Sequence, residues 1–543
     1  MEITPNMSQR SRSRSRSRTR NLSNTSRSTS STRRPSFGSR RSLSSSSLTK
    51  LQVTPTPFEP DRFIPTVQAH LDNSLPSDFF KQDILGLVKA LKISKWHKHE
   101  LNPAHLLATR ISGALTNSIY KLEYRDLQQD LSLPSLLLRV YGKNAGSIID
   151  RDLELKILIK LNQKKIGPRL LGIFTNGRFE QFLEGFITLN RDQIRDEVIS
   201  QMIARRMKDL HYQIKLSSAD KESEFPMSWK LIYKWLDILE RDYIPGFREH
   251  GLREEDLFFV NFQKFKQLIE HYREWLFNKY QDDISGNFKF CHNDTQYGNL
   301  LLHESFSPSE IVVQNPPKEE DKNIVLKATS NKKDNYLAVI DFEYSGPNLP
   351  AYDLVNHFSE WMADYHDPEK SYYIDEKQYP SMVQRLNFIK SYVEYDFRYP
   401  SSNLKTKDSP DVSSASASEL IEFEIKKIYN ECILWRPTVQ LFWCLWGLLQ
   451  NGSTQPTYVP GSEQGVDGTY NITTAVEGLN FNDNAILEEM TSSDDDFNYL
   501  KYAQQKAALI IGDFINFGFV EQDDTEEKLQ DIIKNLDTEL YEI

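Results

Sequence analysis

Residues 289–302 read KFCHNDTQYGNLLL. Two apolar flanks enclose a polar knot of His292, Asn293, Asp294, Gln296 and Asn299, which reads as a turn between two short strands. A polar hairpin, with Asp and Asn serving turn geometry, explains such a turn by itself. A second feature weighs against that bland reading. Forty-two residues after Asn299 the chain reads LAVIDFEY, another apolar strand, ending on Asp341 with Glu343 just beyond.

Outward from this pair, the chain divides by composition. At 543 residues it exceeds one core, and a prior of roughly 150 residues per domain suggests two to four units. Positions 1–50 hold twelve Lys or Arg and one acidic residue; the net charge of −10 therefore leaves −21 on the remainder. An acidic body argues against a nucleic-acid surface and favours a cationic ligand. Residues 8–50 are almost all Ser, Arg and Thr, a disordered tail by composition. Arg-Ser repeats can bind RNA, but a soluble tail open to basophilic protein kinases is the simpler reading, with Ser36 and Ser44 behind basic residues. Three cysteines support no disulfide framework. The longest apolar run, VQLFWCLWGLL, is short of the roughly 20 residues of a transmembrane span, and no signal-peptide core follows Met1. A cytoplasmic protein is expected.

Residues 51–104 read as a Pro-rich linker followed by a helical extension. From 105 to 186, three strands, a helix and two further strands describe a small antiparallel lobe. From 187 to 543, long amphipathic stretches such as VISQMIARRMKDLHYQI describe a large helical lobe. Polar segments near 304–335, 399–418 and 451–494 read as surface insertions into it.

Phosphoryl transfer needs a carboxylate to take the proton of the attacking hydroxyl, and amide and carboxylate oxygens to hold Mg2+. Asp294 and Asn299, five apart, followed by Asp341 closing a later strand, have the spacing of protein-kinase catalytic and metal loops. Asp294 is then the base, Asn299 and Asp341 the metal ligands, and Glu343 an accessory ligand. Ser112–Ser118, SGALTNS, lies between two predicted strands; Ser112, Gly113, Thr116, Asn117 and Ser118 could cradle ATP phosphates. No GxxxxGK[ST] occurs, which disfavours a P-loop enzyme. Arg139 in LLLRVYG stands where kinases carry Lys, with Glu154 on the next helix as its partner, and Gln181 to Leu183 form the hinge offered to adenine.

HNDTQYGNLL, IDFEYSGPNLPAYDLVNHFSEWMADY and the Trp-rich LFWCLWGLLQ together resemble the choline/ethanolamine kinases over about 105–543. The resemblance implies an α+β, protein-kinase-like two-lobe fold, ATP and Mg2+, an amino-alcohol substrate and a dimer. It places Tyr344, Glu360, Tyr365, Trp443, Trp446 and Tyr502 around choline, with Gln296 nearby. Phe497 reads as a ring of that pocket or of the core, and Trp361 as core.

A quaternary ammonium donates no hydrogen bond and must be held by aromatic faces and a carboxylate. Trp443 and Trp446, three apart, share a helix face. The paired tryptophans favour a choline kinase, making phosphocholine for phosphatidylcholine synthesis. An ethanolamine or dual kinase is the alternative, ahead of an aminoglycoside-type phosphotransferase or an RNA-associated, non-catalytic protein.

Overall fold

The strands flanking the polar turn do not pair with each other. In a computed structural model, which describes residues 64–111, 117–141, 151–164, 166–249, 253–281, 284–306, 332–395, 402–407, 409–411, 414–451 and 497–543, each pairs with a neighbour of Asp341 instead. Ser36, Ser44, Ser112, Gly113 and Thr116, together with most of 304–335 and nearly all of 451–494, lie outside the described residues.

The small lobe is a six-stranded sheet: β1 (Thr66–Val67), β2 (Leu106–Ile111), β3 (Asn117–Asp126), β4 (Leu131–Tyr141), β5 (Leu170–Phe174) and β6 (Gly177–Gln181). Its order is β1-β5-β6-β4-β3-β2, antiparallel except where β1 runs parallel to β5. Period-two alternation on β4 turns Leu136, Leu138 and Val140 inward. Helix α1 (Ser77–Ala90) carries Ile84, Leu87 and Val88 at helical spacing and buries them in the same core, beside Leu122, Leu138 and Phe179. The segment 51–104 is therefore not an appendage: from Ile64 onward it supplies an edge strand and a helix to this lobe. Its few apolar residues could not make a core alone, and the open face of the sheet supplies the missing partner. Helix α2 (Arg151–Lys164) follows β4.

The large lobe holds α3 (Glu197–Gln213), α4 (Met227–Ile238) and α5 (Phe262–Phe277), then the paired strands of the site, then α6 (Pro350–Glu360), α7 (Met382–Tyr395), α8 (Ala417–Asn451) and α9 (Tyr499–Asn516). Asp196 starts α3 by accepting the amides of Val198 and Ile199, satisfying donors the helix cannot pair. Every residue of α8 from Lys427 to Leu449 is buried among α4, α6, α7 and α9. The apolar run of about a dozen residues thus belongs to a 35-residue helix, long and apolar enough to cross a membrane but with that stretch enclosed in the core. The segment near 399–418 is not a plain surface loop either. Ser402 and Leu404 are buried, and Leu404 bridges to Tyr280.

Candidate active site

Strand β8 (Lys289–Cys291) leads into the polar turn and β9 (Leu300–His303) leaves it. Strand β10 (Leu337–Val339) pairs with β9, and β11 (Gly346–Asn348) pairs with β8. β7 (Phe186–Thr188) completes the sheet of β9 and β10. Two loops, 292–299 and 340–345, are thereby clamped face to face. Ile340 N–H donates to the Asn299 carbonyl at 3.0 Å, and Asn293 Nδ2 donates to the Tyr344 carbonyl at 2.9 Å.

Each loop holds a residue in the left-handed region, Asn293 (φ 66°) and Asp341 (φ 64°). Asn and Asp tolerate this conformation better than other side chains, and such positions persist only where their surroundings over-determine them. Here the determinant is a residue that the sequence reading passed over. Asp353, fully buried on α6, accepts His292 N–H (2.8 Å) and Asn293 N–H (2.9 Å). It also accepts the Thr295 hydroxyl (3.0 Å) and His211 Nε2 from α3 (2.9 Å). Burial alone would push its carboxyl above the usual range, but His211 and the His292 amide hold it below that range. Its only signal in the sequence is an acid set among the apolar residues of PAYDLV.

Asp294 and Asn299 meet as the spacing predicts: Asn299 Nδ2 donates to the Asp294 carbonyl and to its Oδ2, both at 2.8 Å. The Asn299 amide oxygen takes no part in either bond. Burial first, then the charges of Glu360, Asp341 and Glu343, push the Asp294 carboxyl well above its usual range. Asp341, Glu343 and Glu154 bring carboxylate oxygens within 4.8 Å of one another, an all-oxygen group suited to a hard divalent cation.

Arg139 departs from its expected partner. Its Nη1 donates to Asp341 Oδ1 at 2.8 Å. Glu154 reaches Arg178 Nη1 at 2.7 Å instead, and Arg178 also pairs with Glu180. Arg178 is a buried cation on β6, next to Arg139 across the sheet (Arg139↔Arg178), and so intercepts the helix carboxylate. Spacing along one chain cannot reveal a competitor arriving from another strand.

Of the remaining nucleotide-side residues, Asn117 begins β3, and Ser118 Oγ accepts from Asn73 at 3.2 Å. Gln181 ends β6, its N–H given to the Arg169 carbonyl and its side chain bound by Arg169 Nε, while the Leu183 carbonyl accepts Phe186 N–H. Gln296 is half-buried; its carbonyl accepts Asn299 N–H and closes the turn Tyr297–Asn299.

The aromatic residues do converge. Trp446 Nε1 donates to the Tyr344 hydroxyl at 2.7 Å. Ring centroids lie 5.5 Å apart for Tyr344–Trp443, 5.5 Å for Trp443–Trp446 and 6.2 Å for Trp446–Tyr502, all edge-to-face. Gly447 permits the last approach, since a Cβ there would stand 3.1 Å from the Tyr502 ring. Tyr365 donates its hydroxyl to Glu360 Oε2 at 2.7 Å and lies 6.5 Å from Tyr502. Phe497 joins this edge, 5.4 Å from Tyr502 and 6.2 Å from Tyr365. Trp361 packs in the core against His357 and Arg195, as expected. The fields of Glu360 and Asp294 both reach the Tyr502 hydroxyl, so rings, carboxylate and polar turn share one locality.

Comparison with known proteins finds relatives along most of the chain. The choline/ethanolamine kinase family model matches residues 108–511, and the choline kinase N terminus model matches 59–102. The chain is 39% identical over 517 residues to the choline kinase of Saccharomyces cerevisiae, spanning 88% of this chain and 82% of that protein. It is 32% identical over 479 residues to the ethanolamine kinase of the same yeast, spanning 84% and 80%. The crystal structure of a choline kinase from Cryptosporidium parvum superposes with a TM-score of 0.51 at 18% identity, covering 81% of this chain and 98% of that one. That likeness is one of fold: a small sheet lobe on a mostly helical one.

Proposed function

The chain belongs to the choline/ethanolamine kinase family, and on that footing we propose that it is a choline kinase, transferring the γ-phosphoryl group of ATP to the choline hydroxyl. The observation that carries the reading is the ring set Tyr344, Trp443, Trp446 and Tyr502 beside Glu360. Aromatic faces attract a cation that can donate no hydrogen bond, at about 0.5–2 kcal/mol per contact. A primary ammonium needs several acceptors, which rings do not provide.

Asn299, Asp341 and Glu343 would hold Mg2+, which when bound neutralises the phosphate charge. Asp294, kept in place by Asn299 through one carboxylate oxygen, has the other with which to orient the choline hydroxyl and accept its proton. Arg139 exchanges Asp341 for the nucleotide phosphates. Ser112–Ser118, of which 112–116 lie outside the described residues, is the sequence candidate for the phosphates, and Gln181 to Leu183 would meet adenine. Phosphocholine for phosphatidylcholine synthesis, made in the cytoplasm, is the product this reading implies. The test is kcat/KM for choline and for ethanolamine with ATP and Mg2+. A choline preference of about tenfold or more is expected, since 1.4 kcal/mol corresponds to one or two cation–π contacts; a preference for ethanolamine overturns the assignment.

A further inference from the structure

Behind the ring set lies a cation that the proposed reaction does not use. Lys506, on α9, is fully buried, with its Nζ 3.8 Å from Glu360 Oε1. Among the described residues neither atom has a hydrogen-bond partner. The other oxygen of Glu360 accepts the Tyr365 hydroxyl, while Tyr365 N–H is in turn held by the Tyr297 hydroxyl at 2.8 Å. The groups facing Glu360 are Lys506 and Tyr502 from α9, Tyr365, and Asp294 and Tyr297 from the polar turn; Cys444 of α8 borders Lys506.

A buried carboxylate without a charge partner takes up a proton, and a buried ammonium loses one. Held at 3.8 Å, the two lie close enough for opposite charges to attract without closing a tight hydrogen-bonded pair. Glu360 Oε1 is therefore buried with its hydrogen-bonding capacity unused, beside the rings. Burial pulls the Lys506 ammonium below its usual range, and Glu360 opposes that pull.

We propose that Lys506 is a positioning residue for the cation pocket: its ammonium keeps Glu360 ionised while the pocket is empty, so that an incoming quaternary ammonium meets a carboxylate already charged. This rests on the choline reading for the identity of the ligand, but not for the state of the empty pocket.

Two measurements test it. Infrared difference spectra of Lys506→Met minus wild type, both ligand-free at pH 7, should show one additional protonated-carboxyl band that Lys506→Arg minus wild type lacks. The band should vanish in the double variant Lys506→Met/Glu360→Gln. Choline binding, followed by tryptophan fluorescence between pH 6 and 9, should then release a proton in Lys506→Met. Its Kd should fall relative to wild type by up to about tenfold per pH unit, with Lys506→Arg tracking wild type. Should Lys506→Met prove insoluble, Lys506→Gln removes the same charge. A Lys506→Met protein with no extra protonated carboxyl, or with a Kd–pH profile parallel to wild type, overturns the inference. Wild type that binds no choline overturns the functional reading instead, and the infrared result still decides the role of Lys506.

Discussion

Replacing Asp353 by Asn changes one atom at the back of the polar turn. In the native protein Oδ2 accepts His292 N–H and His211 Nε2, and Oδ1 accepts Asn293 N–H and the Thr295 hydroxyl. An amide nitrogen in either place faces donors. At Oδ2, His211 can switch tautomer and accept, but His292 N–H cannot; at Oδ1, Thr295 can rotate, but Asn293 N–H cannot. Either way one buried backbone donor is orphaned, at about 1–3 kcal/mol, and charge-assisted bonds become neutral ones at about half the strength. A loss of about 2–4 kcal/mol follows, a large part of the 5–15 kcal/mol typical of a folded protein. The Asn293 amide is one of the anchors that hold its φ at 66°, beside its side-chain bonds to Tyr344 and Asn348, so losing it should let the turn relax and carry Asp294 away from Asn299. Urea unfolding followed by tryptophan fluorescence should show a lower midpoint with unchanged slope, and steady-state kinetics a fall in kcat of at least about 100-fold, the low end of what a positioned general base contributes. An Asp353→Asn protein within about 0.5 kcal/mol of wild type and still turning over would refute this account of how the turn is held.

Trp446→Ala removes one cation–π face and the donor to the Tyr344 hydroxyl. The choline KM should rise about 2- to 30-fold, with a smaller effect on ethanolamine; equal effects on both would deny the ring set its selectivity. Glu431 on α8, which accepts the Tyr280 hydroxyl at 2.6 Å, is pushed up to about 7 by burial. The folded state thus holds this proton more tightly than the unfolded chain, so stability falls as pH rises from the ordinary carboxyl range to about 7, and levels off above it. Glu431→Gln should abolish that loss, raising stability at pH 8 by up to about 3 kcal/mol with little change at pH 4, as thermal unfolding across the range would record.

The polar turn, the second carboxylate strand and the tryptophan pair were legible in the sequence because each is local: strand alternation, a five-residue spacing and helical periodicity carry them. What escaped is what arrives from elsewhere in the chain. Asp353 lies 60 residues beyond the amide of Asn293 that it anchors. Arg178 takes Glu154 from Arg139 because two strands happen to be neighbours. Lys506 drew no reading from the sequence, because its burial comes from the packing of α9 on α8. The segment 51–104 read as a linker and helical extension because the strands that its residues from Ile64 onward pack against come later in sequence.

The most direct test of phosphoryl transfer at this site is production of phosphocholine from radiolabelled ATP by wild type and by Asp294→Ala, with folding checked by circular dichroism. Wild type should label choline, and the variant should keep its fold while losing turnover by about 100- to 10,000-fold. A folded variant that transfers phosphate at the wild-type rate would contradict the assignment of Asp294, and with it the site built around it.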